Sequence, residues 1–367
     1  MRVINLTGTL LLIPAHKPGL KKSAGKIKIM KSILIITFIA GSLLISGTCK
    51  QGERNAEMKK ISIILDTDTN NELDDQHAIA YLLCSGNNFN VKGITVNATY
   101  NGGNIDQQYA EAERVVKLLG LADKIPVLKG ADGNFEAIKD HLNNPGFDGD
   151  KAVNFIIEQA KRQMNEKLVL IAVGKLTNVA LAVKKEPSII DKIRLVWLGS
   201  NYPEPGEYNL ENDIPSVNYL LQTNITFEIV TVRYGKQSGT DAVRVTQADV
   251  QSKMAGLGPK IKQPVTGRHG GEFYNFGDYS ADLFKNAHYY GTPPSRALFD
   301  MAAVAVVKNA GWAVPDTIPC PVMIDNKWKE QPENVRKIII WENFNSEKIL
   351  SDFFSTMKNY VLAEKTN

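Results

Sequence analysis

Cysteine and histidine are scarce in this 367-residue sequence, with three of the former and five of the latter. Cys49, Cys84 and Cys320 are isolated and show no CxxC spacing, which excludes a structural zinc site and a disulfide framework. Cys84 and Cys320 are read as buried apolar thiols. The chain also lacks a Pro-, Gly- or Ser-rich linker, a low-complexity tract and a repeat of solenoid or propeller period. No apolar run reaches the about 20 residues that span a bilayer as a helix. Strong net charge is missing too. Of the 43 Lys and Arg, nine lie in residues 1–57 with only two of the 39 acidic residues, so the remaining chain is slightly acidic. That balance gives no reason to expect nucleic acid or an anionic membrane as partner.

The basic excess precedes "MKSILIITFIAGSLLISGTC", where one Lys is followed by a largely apolar stretch of thirteen residues, Ile33 to Ile45, and then by small residues. This reads as a secretory leader over residues 30–49, with residues 1–29 upstream of a start at Met30. Ser46-Gly47-Thr48-Cys49 resembles a bacterial lipoprotein processing site, implying an exported protein, periplasmic or on the outer membrane, with a lipid anchor on Cys49. Residues 50–58 read as a linker, and residues 59–365 as the folded domain.

From Ile61 onward strand-like and helix-like segments alternate. Strands are expected at Ile61–Leu65, Val91–Val96, Leu168–Val173, Leu195–Leu198 and Phe227–Val232. Helices are expected at Gln76–Cys84, Gln107–Leu119, Asp150–Met164, Val179–Lys185 and Pro215–Gln222. The alternation predicts an α/β fold, an open and mostly parallel sheet with helices on both faces, whose ligands bind at the carboxyl ends of strands. Residues 261–296, rich in Gly and aromatics, break the pattern and read as a long loop or flap. An apolar helix Ala297–Lys308, a strand pair near Thr317–Ile324 and Val335–Trp341, and a helix Glu347–Leu362 complete the expectation.

The most informative stretch is "ILDTDTNNELDDQHAIAYLL", which places four aspartates and a glutamate in ten residues, Asp66 to Asp75, where a strand runs into a helix. Two carboxylates about 4 Å apart repel by roughly 4 kcal/mol at an effective dielectric of about 20, so a folded cluster of this kind calls for a cation. Asp66 and Asp68, two apart on an extended strand end, point the same way. Asp74 and Asp75 sit at a helix start, where free N–H groups favour carboxylates and one of the pair serves equally well as a cap. With only oxygen ligands on offer the cation is hard, Ca²⁺ or Mg²⁺.

"ILDTDT" also fits the signature of haloacid-dehalogenase-type phosphatases, and Gly277 to Asp282 resembles their late acidic motif; on that alternative the protein is a Mg²⁺-dependent phosphatase with Asp66 as nucleophile. A larger set of motifs resembles the nucleoside hydrolases of the inosine-uridine-preferring type. The DxD and DD pairs are Asp66, Asp68, Asp74 and Asp75. A strand ending in Gly-x-Leu-Thr-Asn is Gly174 to Asn178 after Val173, an Asn followed by Glu-aromatic-Asn is Asn201, Glu207, Tyr208 and Asn209, and a late Asp opening an apolar helix is Asp300. The phosphatase reading leaves the last three motifs unexplained.

The resemblance implies a Rossmann-like fold and Ca²⁺-dependent cleavage of the N-glycosidic bond of a nucleoside or related riboside. By resemblance, Asp66, Asp68, Asp75, the Val173 carbonyl and Asp300 hold Ca²⁺, with Mg²⁺ the lesser choice, and Asp68 is the general base. Asp74 and Asn209 bind the 2′- and 3′-hydroxyls, Asn201 and Glu207 reach the 5′-hydroxyl, and Asn101, with Asn97 as its rival, supplies a further contact. The resemblance also implies a homo-oligomer.

Two departures stand out. "TNNEL" between Asp68 and Asp74 is two residues longer than the family spacing, and Phe299 stands where many members have a His that protonates the departing base. His269, His288 and Tyr289 are the substitutes within reach along the chain, Tyr274 and Tyr290 lie nearby, and His77 is expected to pack or bond to a neighbouring strand. With the His missing and the acidic loop altered, a non-catalytic nucleoside- or sugar-binding lipoprotein is the third alternative.

Overall fold

The computed structural model describes residues 59–364; the leader, Cys49 and the linker lie outside them. Six strands run in chain order: β1 (Ile61–Thr67), β2 (Phe89–Val96), β3 (Val127–Lys129), β4 (Leu168–Ala172), β5 (Ile193–Ser200) and β6 (Thr226–Thr231). Two later strands, Lys337–Glu342 and Val314–Pro319, extend the sheet beyond β6, giving eight strands in the order Val314–Pro319, Lys337–Glu342, β6, β5, β4, β1, β2, β3. Every neighbouring pair is parallel except the outermost, where Val314–Pro319 runs antiparallel to Lys337–Glu342.

The helices are α1 (Asp74–Leu83), α2 (Ile105–Leu118), the single turn α3 (Phe135–Ile138), α4 (Asp150–Lys161), α5 (Thr177–Lys185), the short α6 (Tyr208–Asn212) and α7 (Ile214–Leu221). They divide between the faces of the sheet. Ile63 and Leu65 of β1 point into a core shared with α1, α2 and the helix Phe299–Lys308, while Ile64 points into a second core with α4, α5 and α7. This period-two alternation inside an all-apolar strand is what a sheet covered on both faces requires. All ten residues of α1 are buried, so it is a central helix rather than an amphipathic surface one.

Chain order reverses between β1 and β4. β1 continues outward to β2 and β3, whereas β4 continues the other way to β5 and β6, so the crevice above the carboxyl ends of β1 and β4 is the topological switch point. Asp66 pairs in register with Ala172 on one side and Thr95 on the other, which sets the DxD end of β1 beside Val173.

Several expected boundaries move. Residues 261–296 are not one loop: Asn275 caps a ten-residue helix, Phe276–Lys285, by accepting from the Asp278 N–H, and the apolar residues of that helix are buried against α1. Its Gly and aromatic content hid a helix whose stability comes from tertiary packing. The following helix starts at Phe299, because Arg296–Ala297 is a short strand paired with Arg244–Val245. The closing strand pair is Val314–Pro319 with Lys337–Glu342, and the last helix, Ser346–Lys358, ends earlier than expected.

Candidate active site

A cavity of about 850 Å³ opens at the switch point. Asp68, Asp74, Asp75, Asn101, Val173, Glu207, Asn209 and Asp300 line it, together with Glu72, Tyr234, Arg244, Tyr290, Arg296 and Phe299. Separate parts of the chain therefore converge here: the end of β1 with the start of α1, the loop after β2, the end of β4, the loop before α6 with its first turn, the segment that follows β6, and the segment from Tyr290 into the helix Phe299–Lys308.

Asp66 stands apart from the other carboxylates. It is fully buried, and its oxygens accept from Thr95 Oγ1 at 2.5 Å, Asn97 Nδ2 at 2.6 Å and Asn178 Nδ2 at 2.8 Å. Three donors leave it little capacity to ligate a cation, and no open face for the nucleophile of the phosphatase alternative. Asp278, from the late acidic motif, is spent on Asn275 and the Gly256 N–H, away from the cavity.

Asp68 accepts from Thr99 Oγ1 at 2.5 Å, and Asp75 accepts from Thr67 Oγ1. Asp74 and Asp75 occupy the first turn of α1, and Asp300 the first turn of its own helix, so two helix N-termini face the same point. Oxygens of Asp74, Asp75 and Asp300 lie within 4.8 Å of one another. Burial raises every pKa in the group: Asp66 and Asp68 to about 6, Asp74 to about 7 and Glu207 to about 8. Asp75 and Asp300 are pushed well above the ordinary carboxylate range, first by burial and then by the neighbouring aspartates. Buried acids that hold one another protonated, all with oxygen donors, fit a hard divalent cation that would neutralise them together.

Asn209 Nδ2 donates to the Val173 carbonyl at 2.9 Å and to the Leu198 carbonyl at 3.1 Å. Glu207 caps α6 by accepting from the Leu210 N–H at 3.0 Å. Asn101 lines the cavity and its N–H donates to the Tyr208 hydroxyl at 2.7 Å, whereas Asn97 is buried behind it as a support for Asp66. Asn201 is half-buried outside the lining, accepting from the Tyr234 N–H at 3.2 Å.

The structure does not bring the three substitutes for the missing His to the cavity. His269 faces Asp282 at 3.7 Å, His288 accepts through its carbonyl from Arg296 at 3.4 Å, and the Tyr289 hydroxyl donates to the Phe284 carbonyl. His77 is packed, and its hydrogen bonds go to no strand. Its Nδ1 meets the Leu73 carbonyl at 2.6 Å and its Nε2 meets Ser280 Oγ at 2.7 Å, inside a cage of Phe276, Phe284 and Phe353.

The profile of the inosine-uridine preferring nucleoside hydrolases matches residues 63–350. The chain belongs to that family. It is accordingly a hydrolase of N-glycosyl bonds. Among solved structures, a plant nucleoside hydrolase, PpNRh1, is similar with a TM-score of 0.63 at 17% identity, over 82% of this chain and 99% of that one. The purine-preferring ribonucleoside hydrolase from Gardnerella vaginalis gives a TM-score of 0.61 at 20% identity, over 81% and 98%. An uncharacterized protein of Schizosaccharomyces pombe is 24% identical over 221 residues, which are 53% of this chain and 69% of the relative.

Within this nucleoside hydrolase, sequence reasoning missed the residues that hold the acids in place. Thr67, Thr95 and Thr99 each donate to an aspartate, and Asn178, present in the Gly-x-Leu-Thr-Asn motif, bridges Asp66 to the Val96 carbonyl at 3.1 Å. The signal was available in "GITVNAT", where Thr95, Asn97 and Thr99 alternate along an extended segment and so share one face.

Proposed function

We propose that the protein hydrolyses the N-glycosidic bond of a ribonucleoside or related riboside, releasing base and ribose, with Ca²⁺ as its cofactor. What carries this reading is the meeting of Asp68, Asp74, Asp75 and Asp300 at the wall of a cavity that also holds Asn101, Glu207 and Asn209. Asp68, Asp75, Asp300 and the Val173 carbonyl would hold the cation. Asp66, an expected ligand, is better assigned to orienting the strand end, because its oxygens are occupied by Thr95, Asn97 and Asn178. A bound cation would make a water more acidic and would neutralise the buried carboxylates.

The chain's own residues supply the rest. Asp68 takes the proton of the attacking water, with Thr99 fixing its orientation. Asp74 and Asn209 hold the ribose 2′- and 3′-hydroxyls, while Glu207 and Asn101 bind further along the sugar. The charge developing at C1′ favours a site rich in carboxylates. The leader and Cys49 further support an exported, lipid-anchored enzyme, tested by fractionation and fatty-acid labelling of wild type and Cys49→Ser.

The deciding assay incubates the protein and its Asp68→Asn variant with a panel of ribonucleosides plus CaCl₂ and measures reducing sugar. Ribose release by the wild type and its loss in the variant is the expected result. Tight nucleoside binding without release would instead favour the binding-protein alternative.

A further inference from the structure

The lengthened loop "TNNEL" is fastened to the rest of the fold, with Glu72 exposed at its edge. Asn70 and Glu72 are tied down by two arginines from the aromatic-rich segment: Arg268 donates to the Glu72 carbonyl at 2.8 Å and the Asn70 carbonyl at 3.2 Å, and Arg296 forms an ion pair with the Glu72 carboxylate. Glu72 and Arg296 both line the cavity. Arg296 is only 6% exposed, its guanidinium lies 5.4 Å over the ring of Tyr290, its Nε–H has no hydrogen-bond partner among the described residues, and its Nη1 bond to His288 is long at 3.4 Å.

Phe299 offers the departing base no proton, and of the other cations of the lining Arg244 is committed elsewhere while Lys236 is exposed. Arg244 donates to Asp241 at 2.6 Å and to Ser295 at 2.9 and 3.1 Å, and Lys236 is a half-exposed side chain 3.8 Å from Glu204. Tyr234 is half-exposed, and its phenol is made a weaker acid by partial burial and by the nearby Glu207 and Asp74 carboxylates. Arg296 is the buried cation of this cavity with donors to spare.

We propose that Arg296, held by Glu72 of the lengthened loop, is the leaving-group residue of this enzyme: its guanidinium donates hydrogen bonds to the departing base and neutralises the charge gathering there. The inference rests on the ribosyl hydrolysis proposed above. As the C1′–N bond breaks, its electron pair stays with the base while the oxygen of water bonds to C1′. The proton that water gives up at Asp68 is matched by one the base takes from solvent. Arg296 keeps its own protons, since a guanidinium does not deprotonate in proteins, and acts as a fixed donor.

The test compares inosine or uridine, whose bases leave poorly, with 4-nitrophenyl ribofuranoside, whose phenolate leaves unaided. Arg296→Gln is expected to lower kcat/KM for the nucleoside by about 100-fold or more and for the nitrophenyl riboside by less than about 5-fold, in line with the loss of one preorganised donor. Arg296→Lys, which keeps charge and bulk, falls between on the nucleoside alone. Glu72→Gln shows a smaller loss of the same selective kind. Retained activity on the nitrophenyl riboside is the folding control; a collapse of Arg296→Gln on both substrates with an unselective Arg296→Lys overturns the inference, as does an unchanged nucleoside rate. A wild-type protein that releases ribose from neither substrate overturns the hydrolase reading itself.

Discussion

The side-chain amide of Asn209 and the main-chain carbonyl of Val173 are joined by a hydrogen bond of 2.9 Å. It links the helix that presents the Glu-aromatic-Asn motif to the end of β4 at the switch point. A carbonyl oxygen has two lone pairs, so the bond leaves Val173 able to serve a cation as well. Asn209 also reaches the Leu198 carbonyl of β5, and so spans two adjacent strands.

Asn209→Ala should accordingly cost both function and stability. Two buried carbonyls lose their donor, a penalty of about 1–3 kcal/mol for each group left unsatisfied, and the sugar loses a contact. The expected outcome is a fall in kcat/KM of about 100-fold or more with a lower but still cooperative melt. A normal melt with normal activity would remove Asn209 from the site.

The clustered acids make a prediction about pH whose sign follows from their direction of shift. Asp74 and Glu207 are raised to about 7 and about 8, and Asp75 and Asp300 well above the ordinary value. A carboxyl group with a raised folded-state pKa binds more protons folded than unfolded between its two pKa values. Stability therefore falls as pH rises through that window. His77 opposes this at lower pH, because its pKa is lowered from 6.5 to about 4 by burial, so its contribution is lost as pH falls below 6.5. Above pH 6.5 the acids act alone. Chelated protein should melt lower at pH 8.5 than at pH 6.5, and CaCl₂ should restore the pH 8.5 melt by more than it raises the other. Equal melts under all four conditions would show that the carboxylates are not coupled to a cation.

Charge removal should act in opposite directions at two aspartates of the same cluster. Asp75 is crowded by Asp68 and Asp74, so Asp75→Asn relieves repulsion: in chelator the variant melts higher than wild type, yet calcium no longer stabilises it and activity falls by about 1,000-fold or more. Asp66 is compensated by Thr95, Asn97 and Asn178, so Asp66→Asn sets an amide against three donors and melts lower with or without calcium, a loss of about 2–4 kcal/mol. The same direction of change in both variants would mean that the cluster is not divided in this way.

The division between Asp66 and Asp75 was not legible in the chain. The strands were, because β1, β4 and β5 are apolar runs of strand length between polar strand ends, and four ordered motifs located the acids and asparagines. What escaped depends on partners distant in sequence. The helix Phe276–Lys285 sits in a segment whose glycines and tyrosines carry no helical period until α1 packs against it. β3 has three half-buried residues, too short for pattern to reveal, and owes its assignment to pairing with β2. Arg268 and Arg296 lie about 200 residues beyond the "TNNEL" loop they fasten, and nothing local in either segment signals the other. Counting favours Asn101 over Asn97 only narrowly; side-chain direction sends Asn101 to the cavity and Asn97 behind it onto Asp66.

Gly174 tests how tightly the acids are positioned. A Cβ at this residue would come within 2.8 Å of both polar atoms of the Asn97 amide and 3.0 Å of Asp68 Oδ1, closer than carbon atoms tolerate. Asn97 is locked onto Asp66 at 2.6 Å and Asp68 onto Thr99 at 2.5 Å, so neither has a free rotamer to retreat into. The Gly174 carbonyl is itself held by Trp197 Nε1 at 3.1 Å, which prevents the backbone from stepping back. The added methyl therefore pushes first on Asn97 and also on Asp68, the residue assigned to take the proton from water. Gly174→Ala should lower kcat by about 10-fold or more, since a displacement of about 1 Å at a reacting group costs about 100-fold and the shift here is a fraction of that. The melting temperature should fall by only a few degrees, as overpacking by one methyl costs about 1–3 kcal/mol. A variant that keeps full kcat would show that the end of β4 has room to move, and that Asp68 does not depend on the glycine beside it.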